Sequence, residues 1–422
     1  MTEFLRLLPP AKARARLLSA IDGPLDRIEL VGASEALDRV AAEDILAPHD
    51  LPEFRRSTVD GYAVAARDSF GASAAQPAYL RVTGEIAMGS SPSFGIGIGE
   101  CAQIHTGGML PEGADAVVML ESTQQIGVSG KGSAGPVEVE VLKPVASGEN
   151  VITIGEDVRV GEIVISRGKR IRPQEIGGLM ALGITSLRVT GKPRVALISS
   201  GDEIVEPHAR PLLGQVRDVN SASLSALIST NGGEPVFFGV VPDEVGRLAE
   251  VARGALAACD VVVVTAGSSA STRDLTATAI ESLGTPGVLV HGVNIRPGKP
   301  TILGACNRKA VIGLPGNPVS ALIIARLFLV PVMDRLLGLE ALAARTSVKA
   351  RLAINLASQT GREDWWPVRI HEDPRNPREW TAEPIFGRSN LIFNLIAADG
   401  LVEIPADTNG LAAGELVDVE LF

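Results

Sequence analysis

Four short strings along the chain gather the residue types that hold anions. They are Ser200-Gly201-Asp202-Glu203, Thr265-Ala266-Gly267-Ser268-Ser269-Ala270-Ser271-Thr272-Arg273-Asp274, Asn294-Ile295-Arg296-Pro297-Gly298-Lys299-Pro300 and Gly313-Leu314-Pro315-Gly316-Asn317-Pro318. Together they supply small hydroxyls, glycines, two cations and several carboxylates. The 267–272 stretch offers backbone N–H groups and hydroxyls at a helix start, which suits a phosphate; an ordinary strand-to-helix turn looks the same. Arg296 and Lys299 flank a Pro-Gly turn that either holds two positive charges close together or is simply solvated. Asp274 reads either as a Mg²⁺ ligand beside a phosphate or as an acid at a helix N-terminus. Asn317-Pro318 reads as a helix start in which Asn317 caps and Pro318 fills the first turn, leaving the Gly316 backbone to face a ligand.

Each string follows an apolar run: 194–199, 260–264, 288–293 and 310–312. A further apolar run, 235–241, and helical patterns over 221–230, 243–258, 275–283 and 319–337 alternate with them. Runs that are apolar throughout and alternate with helices predict a parallel sheet covered on both faces, with ligands beyond the carboxyl ends of its strands. Upstream, residues 1 to about 50 read as helical, with Leu37, Val40, Ala41 and Ile45 on one face of a helix over 34–46 that Pro48 ends. From Asp50 to Lys143 short apolar runs separated by Gly, Ser and Pro predict a β-rich domain with a hairpin tip at 127–135. Short strands with turns at Gly155, Gly161 and Gly168 follow, and 345–422 predicts a small β-domain.

Composition narrows the class. The 422 residues include 45 Gly and 27 Pro, with 45% hydrophobic and 4% aromatic residues, so the core is aliphatic and the turns are many. That hydrophobic content excludes disorder. A net charge of −10 argues against a general nucleic-acid surface but not against a local basic pocket. Cys101, Cys259 and Cys306 have neither metal-ligand nor redox spacing, and a reducing cytoplasm is the simple expectation. No signal-peptide core and no membrane-length apolar stretch is found. Gly95-Ile96-Gly97-Ile98-Gly99 precedes no helical pattern, the five histidines lack zinc spacing, and neither a Walker A string nor a nucleophile elbow occurs.

Several strings in order resemble one family. Leu51-Pro52-Glu53-Phe54-Arg55-Arg56-Ser57-Thr58-Val59-Asp60-Gly61-Tyr62-Ala63-Val64 and Thr106-Gly107-Gly108-Met109-Leu110-Pro111-Glu112-Gly113-Ala114-Asp115 come first. Ser200-Gly201-Asp202-Glu203, Asp218-Val219-Asn220, Pro297-Gly298-Lys299-Pro300 and Gly313-Leu314-Pro315-Gly316-Asn317-Pro318-Val319-Ser320-Ala321 follow. The chain thus resembles the molybdopterin molybdenumtransferases, the MoeA and gephyrin E-domain group, over nearly its whole length. The resemblance implies an elongated, multidomain α/β protein: a central three-layer αβα domain with a mostly parallel sheet (1–26 and 186–338), a β-rich domain (51–143), a linking domain (27–50 and 144–185) and a C-terminal β-barrel-like domain (339–422). It implies molybdenum cofactor biosynthesis, in which molybdate enters adenylylated molybdopterin and AMP leaves, with Mg²⁺ present. It implies a cytoplasmic homodimer with a shared active cleft, working beside a molybdopterin-adenylylating enzyme and a recipient molybdoenzyme, without nucleic acid or membrane.

By matching position, the resemblance implies catalytic roles for Asp60, Thr106, Glu203, Asp274 and Lys299, with Asp60 and Thr106 offered to the partner's site. Asp218, Gly267, Ser268, Ser269, Arg296, Lys299, Pro315, Gly316 and Ser389 would bind substrate, and Asp243 and Asp274 the metal. There are departures. The nest, commonly Gly-Gly-Val-Ser-Val-Gly, reads Ala266-Gly267-Ser268-Ser269-Ala270-Ser271, which narrows the allowed backbone. Arg296 stands where Lys is common, and Arg is the wider, planar donor. A usual Phe-x-Arg reads Trp365-Trp366-Pro367, so one molybdate-side arginine is missing, with Arg369 a replacement to be tested. Arg55, Asn390 and Asn394 also depart from the pattern. These departures keep open a second reading, a non-catalytic binder or carrier of molybdopterin or of the finished cofactor. Adenylylation of molybdopterin itself ranks lower.

Overall fold

The run Val261-Val262-Val263-Val264 is buried throughout, and its alternate side chains enter two different cores. Val261 and Val263 pack with Val195, Leu197, Ala310 and Ile312; Val262 and Val264 pack with Ala196, Ile198 and Val311. A strand sends successive side chains to opposite faces, so a run with no polar position must be covered on both. In the computed structural model, which describes residues 7–126, 137–266, 270–339, 346–373 and 376–422, these strands form a six-stranded sheet. Its order is Glu234–Val241, Arg194–Ser200, Val261–Ala266, Lys309–Pro315, Ile302–Cys306, Pro286–His291. The first four are parallel, and Ile302–Cys306 is antiparallel to both its neighbours. Helices Pro10–Ser19 and Asn220–Thr230 and the helical run 318–337 cover one face, and Val245–Ala258 and Ala270–Glu281 the other.

Strand Ile302–Cys306 was not expected. It is joined to Lys309–Pro315 by Asn307-Arg308, both with left-handed φ (52° and 65°), the backbone of a two-residue hairpin turn. Because Ile302–Cys306 runs backwards, Pro286–His291 points the same way as the parallel strands. The carboxyl ends that lead into the four strings therefore share one edge of the sheet.

A second correction concerns 34–46, which is not a helix. Strand Ile28–Gly32 pairs with Ser186–Thr190, a 3₁₀ turn covers Ala33–Glu35, and Asp38 takes a left-handed φ of 61°. Val40 bridges Arg170 and Ala41 bridges Val189, while the Arg39 side chain reaches Glu29 (2.7 Å) and the Thr190 carbonyl (3.0 Å). The apolar spacing is that of a helix, but the backbone groups find partners on distant strands instead of one turn back.

The chain divides into two compact units. The first, Met1–Glu43 with Arg167–Pro173 and Ser186–Phe422, holds the central sheet and a C-terminal barrel. Five barrel strands close in the order Glu363–Asp373, Asn376–Pro384, Ser347–Leu352, Leu416–Leu421, Gly400–Ile404 and back to the first. The second unit, Asp44–Ser166 with Gln174–Thr185, holds a six-stranded sheet. Its strands run Ala116–Met119, Gly61–Val64, Glu100–Ile104, Ala78–Glu85, Glu138–Val141, Thr123–Ile126. One face of it packs Tyr62, Val64 and Val118, the other Ala63, Ile104 and Val117. The expected tip at 127–135 lies outside the described residues. All three cysteines are free and buried, and burial pushes the Cys101 thiol up to about 12. Among the described residues no helix is long and apolar enough to cross a membrane.

Candidate functional site

The segment carrying Arg296 and Lys299 leaves strand Pro286–His291 and returns as Ile302–Cys306. Gly298 makes its turn possible. Its φ is 110°, and a Cβ there would run into the Ile324 side chain, so only glycine lets the turn lie against helix Pro318–Ile324. Thr301 Oγ1 donates to the Gly298 carbonyl at 2.6 Å and fixes the turn from within. Ile295–Arg296 then pairs in parallel with Glu363 and Asp364 at the start of the barrel. Between the sheet edge and the barrel opens a cavity of about 460 Å³, with Arg296, Lys299, Pro315, Arg362, Arg388 and Ser389 in its wall.

Four cations therefore converge in a chain whose net charge is −10. Among the described residues neither Lys299 nor Arg388 makes an ion pair or a side-chain hydrogen bond. Arg362 grips the buried Asp364 with both arms of its fork, Nε to Oδ1 at 2.6 Å and Nη2 to Oδ2 at 2.9 Å. Arg296 stands 3.9 Å from Asp364 and lies over the Trp366 ring, 5.4 Å from its centre. One carboxylate against four cations leaves the wall strongly positive, and planar guanidinium forks suit an oxyanion.

Ser389 enters the wall by an unexpected route. Asn317 was expected to cap helix Pro318–Ile324, but its side chain makes no capping bond; its Nδ2 donates to Ser389 Oγ at 3.1 Å. The Val319 N–H donates instead to the Ser389 carbonyl, also at 3.1 Å, so the first turn of the helix is satisfied from the barrel side. Gly387, two residues before Ser389, has no room for a Cβ against the Asn394 side chain.

The remaining expected residues fall into separate groups. Asp218 is buried with both oxygens engaged: Oδ2 accepts from Ser199 Oγ at 2.6 Å, and Oδ1 from the Ser221 N–H at 3.0 Å. Asn220 Nδ2 donates to the Gly316 carbonyl at 2.8 Å, and the buried Asn220 Oδ1 has no hydrogen-bond partner. At the next strand end Ser200 Oγ donates to Asp243 Oδ1 at 2.8 Å, and the Asp243 N–H donates to Asp202 Oδ1 at 3.2 Å. Glu203 is exposed on the same loop. None of these lines the cavity. Gly267, Ser268 and Ser269 lie outside the described residues, as does the side chain of Asp274 on helix Ala270–Glu281.

Asp60 and Thr106 meet in the second unit. The Thr106 N–H donates to Asp60 Oδ1 at 2.8 Å and its hydroxyl at 3.3 Å; these bonds, the backbone one first, hold the Asp60 carboxyl below its usual range. His105 joins them, with Nδ1 3.5 Å from Asp60 and Nε2 3.1 Å from Glu85. Glu85, followed by Asp60, raises its pKa.

Sequence reasoning missed Arg362, Asp364, Arg388 and His105. Arg362 and Asp364 carried a usable signal, since residues two apart entering a strand share a face. Pro367, where an arginine was expected, does line the cavity. Arg369 does not replace it, because its Nε turns to the Ala397 carbonyl at 3.4 Å, outside the cavity wall.

Comparison with known proteins places the whole chain. Residues 8–183 match the MoeA N-terminal region (domain I and II), 196–335 a probable molybdopterin binding domain, and 349–422 the MoeA C-terminal region (domain IV). A molybdopterin molybdenumtransferase of Staphylococcus epidermidis is 30% identical over 93% of this chain and 90% of its own length. One of Nostoc is 31% identical over 94% and 89%. The crystal structure of the molybdopterin biosynthesis MoeA protein from Pyrococcus horikoshii OT3 shares the fold with a TM-score of 0.85 and 32% identity, covering 99% of this chain and all of that one.

Proposed function

The chain belongs to the molybdopterin molybdenumtransferase family, transferases of molybdenum cofactor biosynthesis, and from that membership we propose that it inserts molybdate into adenylylated molybdopterin with release of AMP. The observation that supports this reading best is the convergence of Arg296, Lys299, Arg362, Arg388 and Ser389 on one cavity at the carboxyl edge of the sheet. Molybdate is a tetrahedral dianion, and this wall offers it two uncommitted cations, two guanidinium edges and a hydroxyl. The phosphates of the substrate take the neighbouring strand end, where Pro315 closes strand Lys309–Pro315 and the Gly316 backbone follows.

In this reading Lys299 and Arg388 draw molybdate in, Arg296 and Arg362 orient it, and Ser389 Oγ donates to one oxygen. Asp218 keeps the loop around Asn220 and Gly316 in place, and Asn220 Oδ1 waits unpaired for a donor from the pterin. Glu203 follows Asp202, which accepts from the Asp243 N–H. A metal is tested by its donors. Among the described residues no cluster of three or more Asp, Glu, His or Cys side chains is arranged to hold a metal ion. Asp243 and Asp202 do lie together beside Ser200. Such all-oxygen donors fit Mg²⁺, which keeps several of its waters, and Asp243 with Asp274 would hold it. When bound, it would supply positive charge to offset that of the phosphoanhydride.

Asp60 and Thr106 complete the site from the partner of a homodimer. The division into a linking part (27–50, 144–185), a β-rich part (51–143), an αβα part (1–26, 186–338) and a barrel (339–422) belongs to the same reading. So do a cytoplasmic setting, supported by three buried free thiols, and neighbours that adenylylate molybdopterin and receive the cofactor. The test is incubation with adenylylated molybdopterin, Mg²⁺ and molybdate. AMP appears in step with cofactor; retention of the pterin with no AMP would overturn the transferase reading in favour of a carrier.

A further inference from the structure

Resting on the oxyanion reading of the cavity, we propose that Asp364 is a positioning residue. It touches no ligand; it sets the spacing and tilt of Arg296 and Arg362 so that their free edges fit a small tetrahedral dianion. Asp364 is fully buried, and a buried carboxylate must be paired. Its partners are the two cavity arginines. Arg362 is held at both ends of its fork, at 2.6 and 2.9 Å, and Arg296 stands 3.9 Å away.

The rest of the surroundings act to the same end. Residues 295–296 and 363–364 are joined strand to strand, so the cavity loop and the barrel edge are held in register where the two arginines emerge. The Trp366 ring lies against Arg296, and Phe386 packs edge-on against Trp366 with ring centres 5.4 Å apart. Arg296 is thereby confined between a carboxylate and an aromatic face, although its side chain is 55% exposed. Arg362 is more enclosed, at 25%. Lys299 and Arg388, by contrast, are untethered among the described residues. The wall thus pairs two untethered charges with two held against Asp364, Arg362 by hydrogen bonds and Arg296 by charge and the Trp366 ring, and folding has already met much of the ordering cost of the held pair.

Positioning and simple charge predict opposite signs. Asp364 is negative and close to an anion site, so if it acted through its charge alone, Asp364→Asn would tighten anion binding. If it positions the arginines, the amide cannot accept both arms of Arg362, the pair loosens, and binding weakens. Titrate molybdate alone into the full-length wild type and Asp364→Asn by calorimetry, and measure the KM for molybdate and for adenylylated molybdopterin. The expected result is a rise of about tenfold or more in the Kd and KM for molybdate, with the KM for the pterin substrate within about twofold. Arg362→Lys keeps the charge, lacks the fork and sits nearer solvent; it is expected to shift molybdate in the same direction, and the double variant to be no worse than the more affected single one. Equal or tighter molybdate binding by Asp364→Asn overturns the positioning role while leaving the oxyanion site standing. If Asp364→Asn does not fold, unchanged molybdate binding by Arg362→Lys overturns it. A wild type that binds no molybdate overturns the oxyanion reading and this inference with it.

Discussion

His105 stands between two carboxylates, with Glu85 on one ring nitrogen and Asp60 on the other. Both raise its pKa, Glu85 the more, while Thr106 and the same imidazole lower that of Asp60. The consequences for stability follow from the two directions. The imidazolium contribution is fully present below the ordinary histidine value of 6.5 and is lost as pH rises through the raised folded value. The Asp60 contribution is present above the ordinary value of 3.8 and is lost as pH falls through the lowered one. Between these limits both groups are charged. An NMR titration of His105 is expected to give a pKa above 6.5, which Glu85→Gln brings down; a midpoint that ignores Glu85 would remove the ion pair from the account. At this scale part of the cavity wall was legible, since Arg296 and Lys299 stand out beside a Pro-Gly turn. Asp60 and Thr106, which meet in the second unit, sit in long strings. Arg388 and His105 adjoin Ser389 and Thr106 but lie outside the matched positions, and a charged residue of that kind gives no sign in sequence of which way it will face.

Gly298 shows what an element must do to deliver a side chain. Its φ of 110° and the Ile324 side chain leave no place for a methyl group, so Gly298→Ala must either straighten the turn or push on the helix. The expected cost is roughly 2–4 kcal/mol, the sum of left-handed strain and overpacking. Urea unfolding followed by tryptophan fluorescence measures it well, since Trp365 and Trp366 lie on the barrel strand that pairs with residues 295–296 beside this turn. A change below about 0.5 kcal/mol, ordinary for surface positions, would mean that the turn is free to adjust. The long helix and the apolar strands were readable because their patterns persist over many residues. The helix expected over 34–46 failed because Val40 and Ala41 are buried by strand partners more than a hundred residues away, which helical spacing cannot distinguish from a helix face. Strand Ile302–Cys306 was overlooked behind a charged loop, although Asn307 in a two-residue link between apolar runs is a hairpin sign.

For the whole molecule, the cations lie in one compact unit and Asp60 with Thr106 in the other, so the proposed shared cleft makes a prediction about mixtures. Asp60→Asn and Lys299→Ala each lose AMP release when pure. Refolded or co-expressed together, they form heterodimers in which one cleft is intact, and activity returns to about a quarter of wild type in a one-to-one statistical mixture. No recovery, with heterodimers demonstrated by mass, would place Asp60 in its own chain's site or outside the chemistry altogether. The sequence by itself determined the family, the α/β class, the doubly covered sheet and the cation-bearing loop. Those rest on local patterns and on strings that persist in order along the chain. Only the tertiary structure decided that Arg362 and Arg388 join Arg296 and Lys299, that Asn317 holds Ser389 instead of capping its helix, and that Arg369 turns away. Each of these depends on which distant backbone a side chain meets once the barrel packs on the sheet, and the spacing of residues along the chain carries no record of that meeting.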